Sequence, residues 1–331
     1  MQPFPHYPLL WGETPIHPLP RFAEAVGLGE CWIKRDDLTG IALGGNKLRK
    51  LEYLLGEALS KGCDLLITGG SPQSNHARLT AAVARKAGMD VWLCFAGSNP
   101  GVEQGNLLLD KLFGATVHMT GQYGSEALLA AMKELAQQAE QEGRKPYVIP
   151  VGGSTPIGDY GYKRAWDEWL RQADKLGLPP MDYLVVPVGT GGTLAGLAAG
   201  QALSPAPVQL VGISVWQRAS TAHRETLELM RSLLAALGVA EGREGTFSIF
   251  DEYIGPKYGV PSVEGIQAIR LLAQTEGILV DPVYTAKALA GVIDLARRGD
   301  WRGKRVLFWH TGGTPALFTH AQNLMDEVNK K

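Results

Sequence analysis

A chain of 331 residues, 45% of them hydrophobic, can bury a large core, and its length points to two domains or lobes rather than one. A formal net charge of -1, with no block of lysine or arginine, provides no basic field for nucleic acid or anionic lipid and argues against both as partners. Cys31, Cys63 and Cys94 are widely spaced, form no CxxC pair and belong to no metal-ligand pattern, so each reads as a small buried hydrophobe in a reducing, cytoplasmic setting.

The proline-rich residues 1–20 have neither a basic start nor a continuous apolar stretch and do not read as an export signal. No run reaches the roughly 18 apolar residues that suggest a membrane span. The first segment with chemical character is Gly44-Gly45-Asn46-Lys47-Leu48-Arg49-Lys50, a lysine between a flexible glycine pair and an amphipathic stretch. Lysine amines form Schiff bases with carbonyls, and a neighbouring cation or a dry pocket lowers the pKa so that free amine is available. Arg49 and Lys50 can supply that field or contact a phosphate; taken alone, the cluster reads first as a solvated basic helix start. It is not a Walker loop, because Asn46 precedes the lysine and Leu48 stands where Ser or Thr would hold magnesium.

A strand is predicted over 64–68 and a helix over 74–86. Between them lies Gly69-Gly70-Ser71-Pro72-Gln73-Ser74-Asn75-His76, whose hydroxyl, amides and free N–H groups at a helix start suit a carboxylate. Ser74 also fits an ordinary N-cap. Strands over 90–95, 115–119 and 147–151, with a helix over 125–141, complete enough strand–helix steps for one small sheet within 51–151.

A second set begins with a strand over 183–188, followed by Gly189-Thr190-Gly191-Gly192-Thr193 and a helix over 193–202. Such a turn presents unpaired N–H groups at the positive end of a helix, and its missing side chains let a phosphate come close. Leu194 occupies the third glycine position of a dinucleotide fingerprint, and the next strand, over 208–215, ends without an acidic residue for a ribose. What remains is a small phosphate monoester. A helix over 286–298 and a strand over 305–309 close the pattern, which is α/β with two three-layer α/β/α domains, mainly parallel sheets and a cleft between them. His76 and His310 read as structural residues, and Asp36-Asp37 as a strand exit or turn.

A lysine nucleophile, a phosphate cup and a carboxylate cup together can hold pyridoxal 5′-phosphate and an amino acid. Through these segments, and through Ile33-Lys34-Arg35-Asp36-Asp37, 146–153, Tyr258-Gly259-Val260-Pro261, 276–284 and 310–317, the chain resembles the D-cysteine desulfhydrase and 1-aminocyclopropane-1-carboxylate deaminase family. These are pyridoxal-phosphate enzymes with the tryptophan synthase β-subunit type of fold, fold type II. The resemblance covers nearly the whole chain.

It implies that Lys47 carries the cofactor, that Ser74 faces the opposite side of its ring, and that Asn75 holds the ring hydroxyl. It implies further that Gly189, Thr190, Gly191, Gly192 and Thr193 hold the phosphate, with Lys50 at a phosphate oxygen and Thr311 near the pyridine nitrogen. Gln73, Ser74 and Asn75 would receive the substrate carboxylate, and Tyr258, Tyr284 and Thr285 would border its side chain. Residues 1–50 and 152–331 would form the larger, cofactor-binding domain and 51–151 the smaller one, in a cytoplasmic homodimer.

In the ring-opening deaminases of the family, the residue after the second tyrosine is a glutamate and the position of Thr311 is apolar, so Thr285 and Thr311 favour β-elimination, with D-cysteine giving pyruvate, hydrogen sulfide and ammonia. Ser71-Pro72 depart from the small or aliphatic residues usual there and can reshape the substrate cup. L-cysteate sulfo-lyase, 1-aminocyclopropane-1-carboxylate deaminase and a non-catalytic cofactor or amino-acid binding protein are the alternatives.

Overall fold

The computed structural model describes residues 3–329. The chain forms β1 (Ile16–Pro18), α1 (Pro20–Val26), β2 (Glu30–Arg35), α2 (Lys47–Ser60), β3 (Leu65–Gly70), α3 (Asn75–Lys86), β4 (Asp90–Phe95), α4 (Gly105–Leu112), β5 (Thr116–Met119), α5 (Ser125–Gln141) and β6 (Pro146–Ile149). It continues through α6 (Pro156–Leu176), β7 (Tyr183–Val188), α7 (Gly192–Leu203), β8 (Gln209–Ser214), α8 (Ala219–Ala236), β9 (Phe247–Phe250), α9 (Val263–Glu276), α10 (Thr285–Arg297), β10 (Arg305–His310), α11 (Pro315–Thr319) and α12 (Ala321–Val328).

One sheet has the order β1-β2-β10-β7-β8-β9, parallel except where β1 pairs antiparallel with β2. The other, β5-β4-β3-β6, is wholly parallel. Alternation along β10 explains why the larger sheet is covered on both faces. Val306 and Phe308 pack with Phe22, Val292 and Leu289 under α1, α9 and α10, whereas Leu307 and Trp309 pack with Trp166, Leu197 and Met230 under α6, α7 and α8. In the smaller sheet α2 and α3 bring Leu51, Leu55, Leu79 and Val83 onto Leu93 and Phe95. The opposite face is closed by α5, through Leu128, Met132 and Leu135 on Ile67 and Cys94.

Predicted strands 90–95 and 183–188 coincide with β4 and β7, and 64–68 lengthens to Gly70 in β3. The strand expected over 147–151 stops at Ile149, because Pro150 turns the chain into a short 3-10 turn over 151–153. Cys31 and Cys94 are buried as expected, but Cys63 is only half-buried, and all three are free thiols. No helix among the described residues is long and apolar enough to cross a membrane.

Two close approaches place the site. A Cβ on Gly161 of α6 would lie 2.1 Å from the Arg49 carbonyl oxygen, and one on Gly196 of α7 would lie 2.3 Å from that of Asp159. Glycine there lets α2, α6 and α7 stack almost backbone to backbone, so the starts of α2 and α7 converge. The C-terminal ends of β3, β7 and β10 open towards the same place, where ligands of open parallel sheets bind.

Candidate active site

The turn before α2 is built for glycine. Gly44 has φ 66 and Gly45 has φ 129, and a Cβ on Gly44 would lie 2.0 Å from the Asp37 carbonyl oxygen. The Asn46 N–H donates to the Thr311 carbonyl at 2.9 Å, tying this turn to the end of β10. Lys47 opens α2, half-buried, and its Nζ donates to the Gly152 carbonyl at 3.1 Å. Burial, then the nearby Lys50 charge, pull its pKa down to about 7, with Asp159 opposing. Near neutrality a large share of this amine is therefore unprotonated and nucleophilic.

Its two cationic neighbours have separate tasks. Arg49 turns inward, its Nε and Nη2 donating to Asp36 at 2.9 and 2.8 Å and its Nη1 to Glu168 at 2.8 Å. Lys50, fully buried, donates to Asp159 at 2.8 Å and to the Ser154 hydroxyl at 3.1 Å. Asp159, raised to about 6 by burial against the pull of Lys50, is the one carboxylate paired with that ammonium among the described residues.

The glycine turn lies directly on this pair. A Cβ on Gly192 would sit 2.2 Å from Asp159 Oδ1 and 2.3 Å from Lys50 Nζ, and Gly191, with φ 84, is the left-handed N-cap of α7. Thr190 and Ser154 hydroxyls are paired at 2.7 Å, and Asn46 Nδ2 donates to Thr193 Oγ1 at 3.1 Å. The first amides of α7, the helix dipole and the Lys50 charge make an anion cup a few ångströms from Lys47. Ser154 and Asp159 carry no local signal in the sequence, and the roles of both, like those of Asn46 and Gly152, depend on partners more than 100 residues away, as in the Lys47–Gly152 and Lys50–Ser154 bonds.

On the other side, Ser74 caps α3, its Oγ accepting from the Ala77 N–H at 3.2 Å. Asn75 follows it, half-buried. Gln73 is placed differently from Ser74 and Asn75: its Nε2 donates to the Gln104 carbonyl at 2.9 Å and its Oε1 accepts from the Asn106 N–H at 2.9 Å, so both ends of its amide are engaged. His76 is buried against Thr68 at 3.1 Å and kept neutral by burial and by the charges of Lys47 and Lys50. His310 bonds the Leu279 carbonyl at 2.9 Å.

Tyr258 and Tyr284 share a hydroxyl–hydroxyl hydrogen bond, with ring centroids 6.0 Å apart. Tyr284 lies beside the cup, 3.7 Å from the position of a Cβ on Gly189. Burial raises the pKa of both phenols, so both remain protonated near neutrality. Thr285 is not brought to the cleft: fully buried, it donates to Asp281 Oδ1 at 2.6 Å in the cap of α10. Thr311 directly follows β10, and its hydroxyl has no protein hydrogen-bond partner among the described residues.

A glycine cup floored by a buried lysine, next to a second lysine poised as free amine, fits a phosphate ester bearing an aldehyde. The model of a family described as pyridoxal-phosphate dependent enzymes matches residues 7–312. The chain belongs to that family.

As a member, it uses pyridoxal phosphate as cofactor, and the closeness of the Lys47 amine to Thr190 across Gly152 leaves room for such a group between them. A relative named D-cysteine desulfhydrase, from Yersinia enterocolitica, is 43% identical over 328 residues, 96% of each chain. One named putative 1-aminocyclopropane-1-carboxylate deaminase, from Pyrococcus abyssi, is 42% identical over 327 residues, 98% of this chain and 96% of the relative. A crystal structure described as an ACC deaminase homologue superposes with a TM-score of 0.90 at 41% identity, covering 98% of this chain and 96% of the other. Threonine deaminase isoform 2 from Solanum lycopersicum, at 16% identity and a TM-score of 0.69 over 97% of this chain and 85% of its own, shares the fold.

Proposed function

We propose that this enzyme is a lyase that removes the β-substituent of a small amino acid, with D-cysteine giving pyruvate, hydrogen sulfide and ammonia. The bound cofactor supplies an aldehyde for the substrate amine and an electron sink for the charge developing at Cα. Lys47, whose pKa of about 7 suits a proton carrier at physiological pH, takes the Cα proton. Ser74, Asn75 and the amides at the start of α3 receive the substrate carboxylate. The carrying observation is the Tyr258–Tyr284 hydroxyl pair beside Gly189: two phenols kept protonated by burial can donate a proton to departing sulfur.

The relatives divide between two names, and the chain's own residues favour elimination. By the resemblance, the Thr311 hydroxyl, which has no protein partner among the described residues, would lie near the ring nitrogen as a neutral group that does not keep it protonated as a carboxylate would. Position 285 is a threonine held in a helix cap rather than a carboxylate in the cleft. A neutral partner makes a shallower electron sink, sufficient for expelling a good leaving group and poorly matched to opening a cyclopropane. The resemblance supports a cytoplasmic homodimer, and the near-neutral net charge fits a small-molecule substrate rather than a polyanion. The two sheets support a division into 1–50 with 152–331, and 51–151.

The test is to assay keto acid from both enantiomers of cysteine, from L-cysteate and from 1-aminocyclopropane-1-carboxylate. Pyruvate from D-cysteine should dominate, and Lys47→Ala should abolish both that activity and the visible absorption of the bound cofactor. Greater production of 2-oxobutyrate from the cyclopropane would instead establish the deaminase.

A further inference from the structure

We infer that Asn106, itself oriented by Arg78, is a positioning residue that fixes which way the Asn75 amide faces and so makes Asn75 a hydrogen-bond donor to an oxygen of the bound cofactor. This rests on the reading of Asn75 as cofactor-facing. Neither Asn106 nor Arg78 emerges from the sequence motifs.

Asn106 lies in the first turn of α4, fully buried. Its Nδ2 donates to the Gln73 carbonyl and to Asn75 Oδ1, both at 2.8 Å, which uses both amide hydrogens. Its Oδ1 accepts from Arg78 Nη1 at 3.2 Å. A guanidinium has only donors, so the oxygen of Asn106 must face it and the nitrogen must face Asn75. By the same logic, Asn75 must turn its oxygen to Asn106, since a flipped amide would set donor against donor. The Asn75 Nδ2 is thereby directed away from Asn106, and among the described residues it has no protein acceptor.

The ligand atom opposite such a group is an acceptor oxygen, which a phenolate or a carboxylate provides. Arg78 also donates through Nη2 to the Gly44 carbonyl at 2.7 Å, at the glycine pair that leads to Lys47. One buried guanidinium thus indexes both the lysine turn and the amide that faces the ring. Gln73, engaged at both ends with 104–106, belongs to the same scaffold.

The experiment is a double-mutant cycle on cofactor binding, with Asn106→Asp and Asn75→Ala singly and together, titrating cofactor-free protein with pyridoxal 5′-phosphate. Asn106→Asp keeps the shape and the acceptor for Arg78 but gives Asn75 no donor, so the amide should flip. Losing one good hydrogen bond should weaken cofactor binding about tenfold and move the visible absorption maximum. In the Asn75→Ala background Asn106→Asp should add nothing. Thermal melting of the cofactor-free proteins checks folding, and Asn106→Ser, which keeps a donor, should recover most of the affinity in protein that folds.

Equal weakening by Asn106→Asp in both backgrounds would overturn the inference, because Asn106 would then act through the fold at large. An Asn75→Ala protein with unchanged affinity and absorption would overturn it too, while leaving the proposed function standing on Lys47. Absence of any visible cofactor band in the unaltered protein would instead remove the proposed function itself.

Discussion

Lys47 shows how one residue gains its chemistry from neighbours rather than from its own side chain. Its amine is set near pH 7 by burial and by Lys50, which Asp159 only partly neutralises. Because only the neutral amine attacks an aldehyde, cofactor capture by cofactor-free protein should accelerate with rising pH through about 7 and then level off. An ordinary lysine would continue to gain rate up to about pH 10. Stopped-flow growth of the visible band across this range checks the shape, and a rate still climbing tenfold per unit above about pH 8.5 would show an unperturbed amine.

At the scale of elements, the site depends on which loops are held and by what. Lys287, on the first turn of α10, is buried and donates to the carbonyls of Ile254 at 2.7 Å and Lys257 at 3.1 Å. Those carbonyls belong to the loop that delivers Tyr258, while Tyr284 precedes the same helix, so Lys287 keeps the two phenols together. Lys287→Met should preserve the cofactor absorption yet reduce pyruvate formation up to about a hundredfold, the scale of an ångström-sized misplacement. Parallel measurement of the spectrum and of kcat separates this from general unfolding.

The elements themselves were unevenly legible. β4 and β7 are apolar runs bounded by turn residues and read directly, whereas β2 carries Lys34 and Arg35, which look like solvent-facing charges. Lys34 is fully buried because Glu168, 134 residues away, receives its ammonium. β1 and β9, with 3 and 4 residues at sheet edges, are too short for a periodicity. The same limit governs the site. Lys47 and the 189–193 turn announce themselves by local sequence, but Asn46, Ser154, Asp159 and Asn106 take their meaning from cross-chain partners that no window contains. Thr285 illustrates the converse: its place next to Tyr284 suggested the cleft, but the cap of α10 claims its side chain.

For the whole molecule the decisive feature is a buried polar knot that joins the two sheets. Asp36, at the exit of β2, accepts from Arg49, from the Tyr162 hydroxyl at 2.6 Å, from Trp309 Nε1 at 2.7 Å and from Thr14 at 2.9 Å. Glu168 of α6 takes the other side of Arg49, together with Lys34. Since Arg49 lies on α2, whose apolar face packs on the smaller sheet, the knot sets how that helix, and Lys47 on it, meets the larger sheet. Burial pushes the Asp36 carboxyl upwards, but Arg49 and Lys34, aided by its hydrogen bonds, outweigh it and hold the pKa at about 2. A carboxyl depressed on folding stabilises the protein above its unfolded pKa of about 4 and loses that contribution as pH falls towards 2. Arg49→Met should therefore destabilise the cofactor-free protein by about 3–5 kcal/mol at neutral pH, the usual result of stranding a buried charge. The gap between the melting temperatures of the two proteins should then narrow on acidification, first as the stranded carboxyls, raised by burial without Arg49, take up protons, and further as the unaltered protein loses its Asp36 contribution between about pH 4 and 2. A gap that stays constant between neutral pH and the acid limit would mean that Arg49 contributes packing alone, and that the orientation of α2 is fixed by its apolar face rather than by its charge.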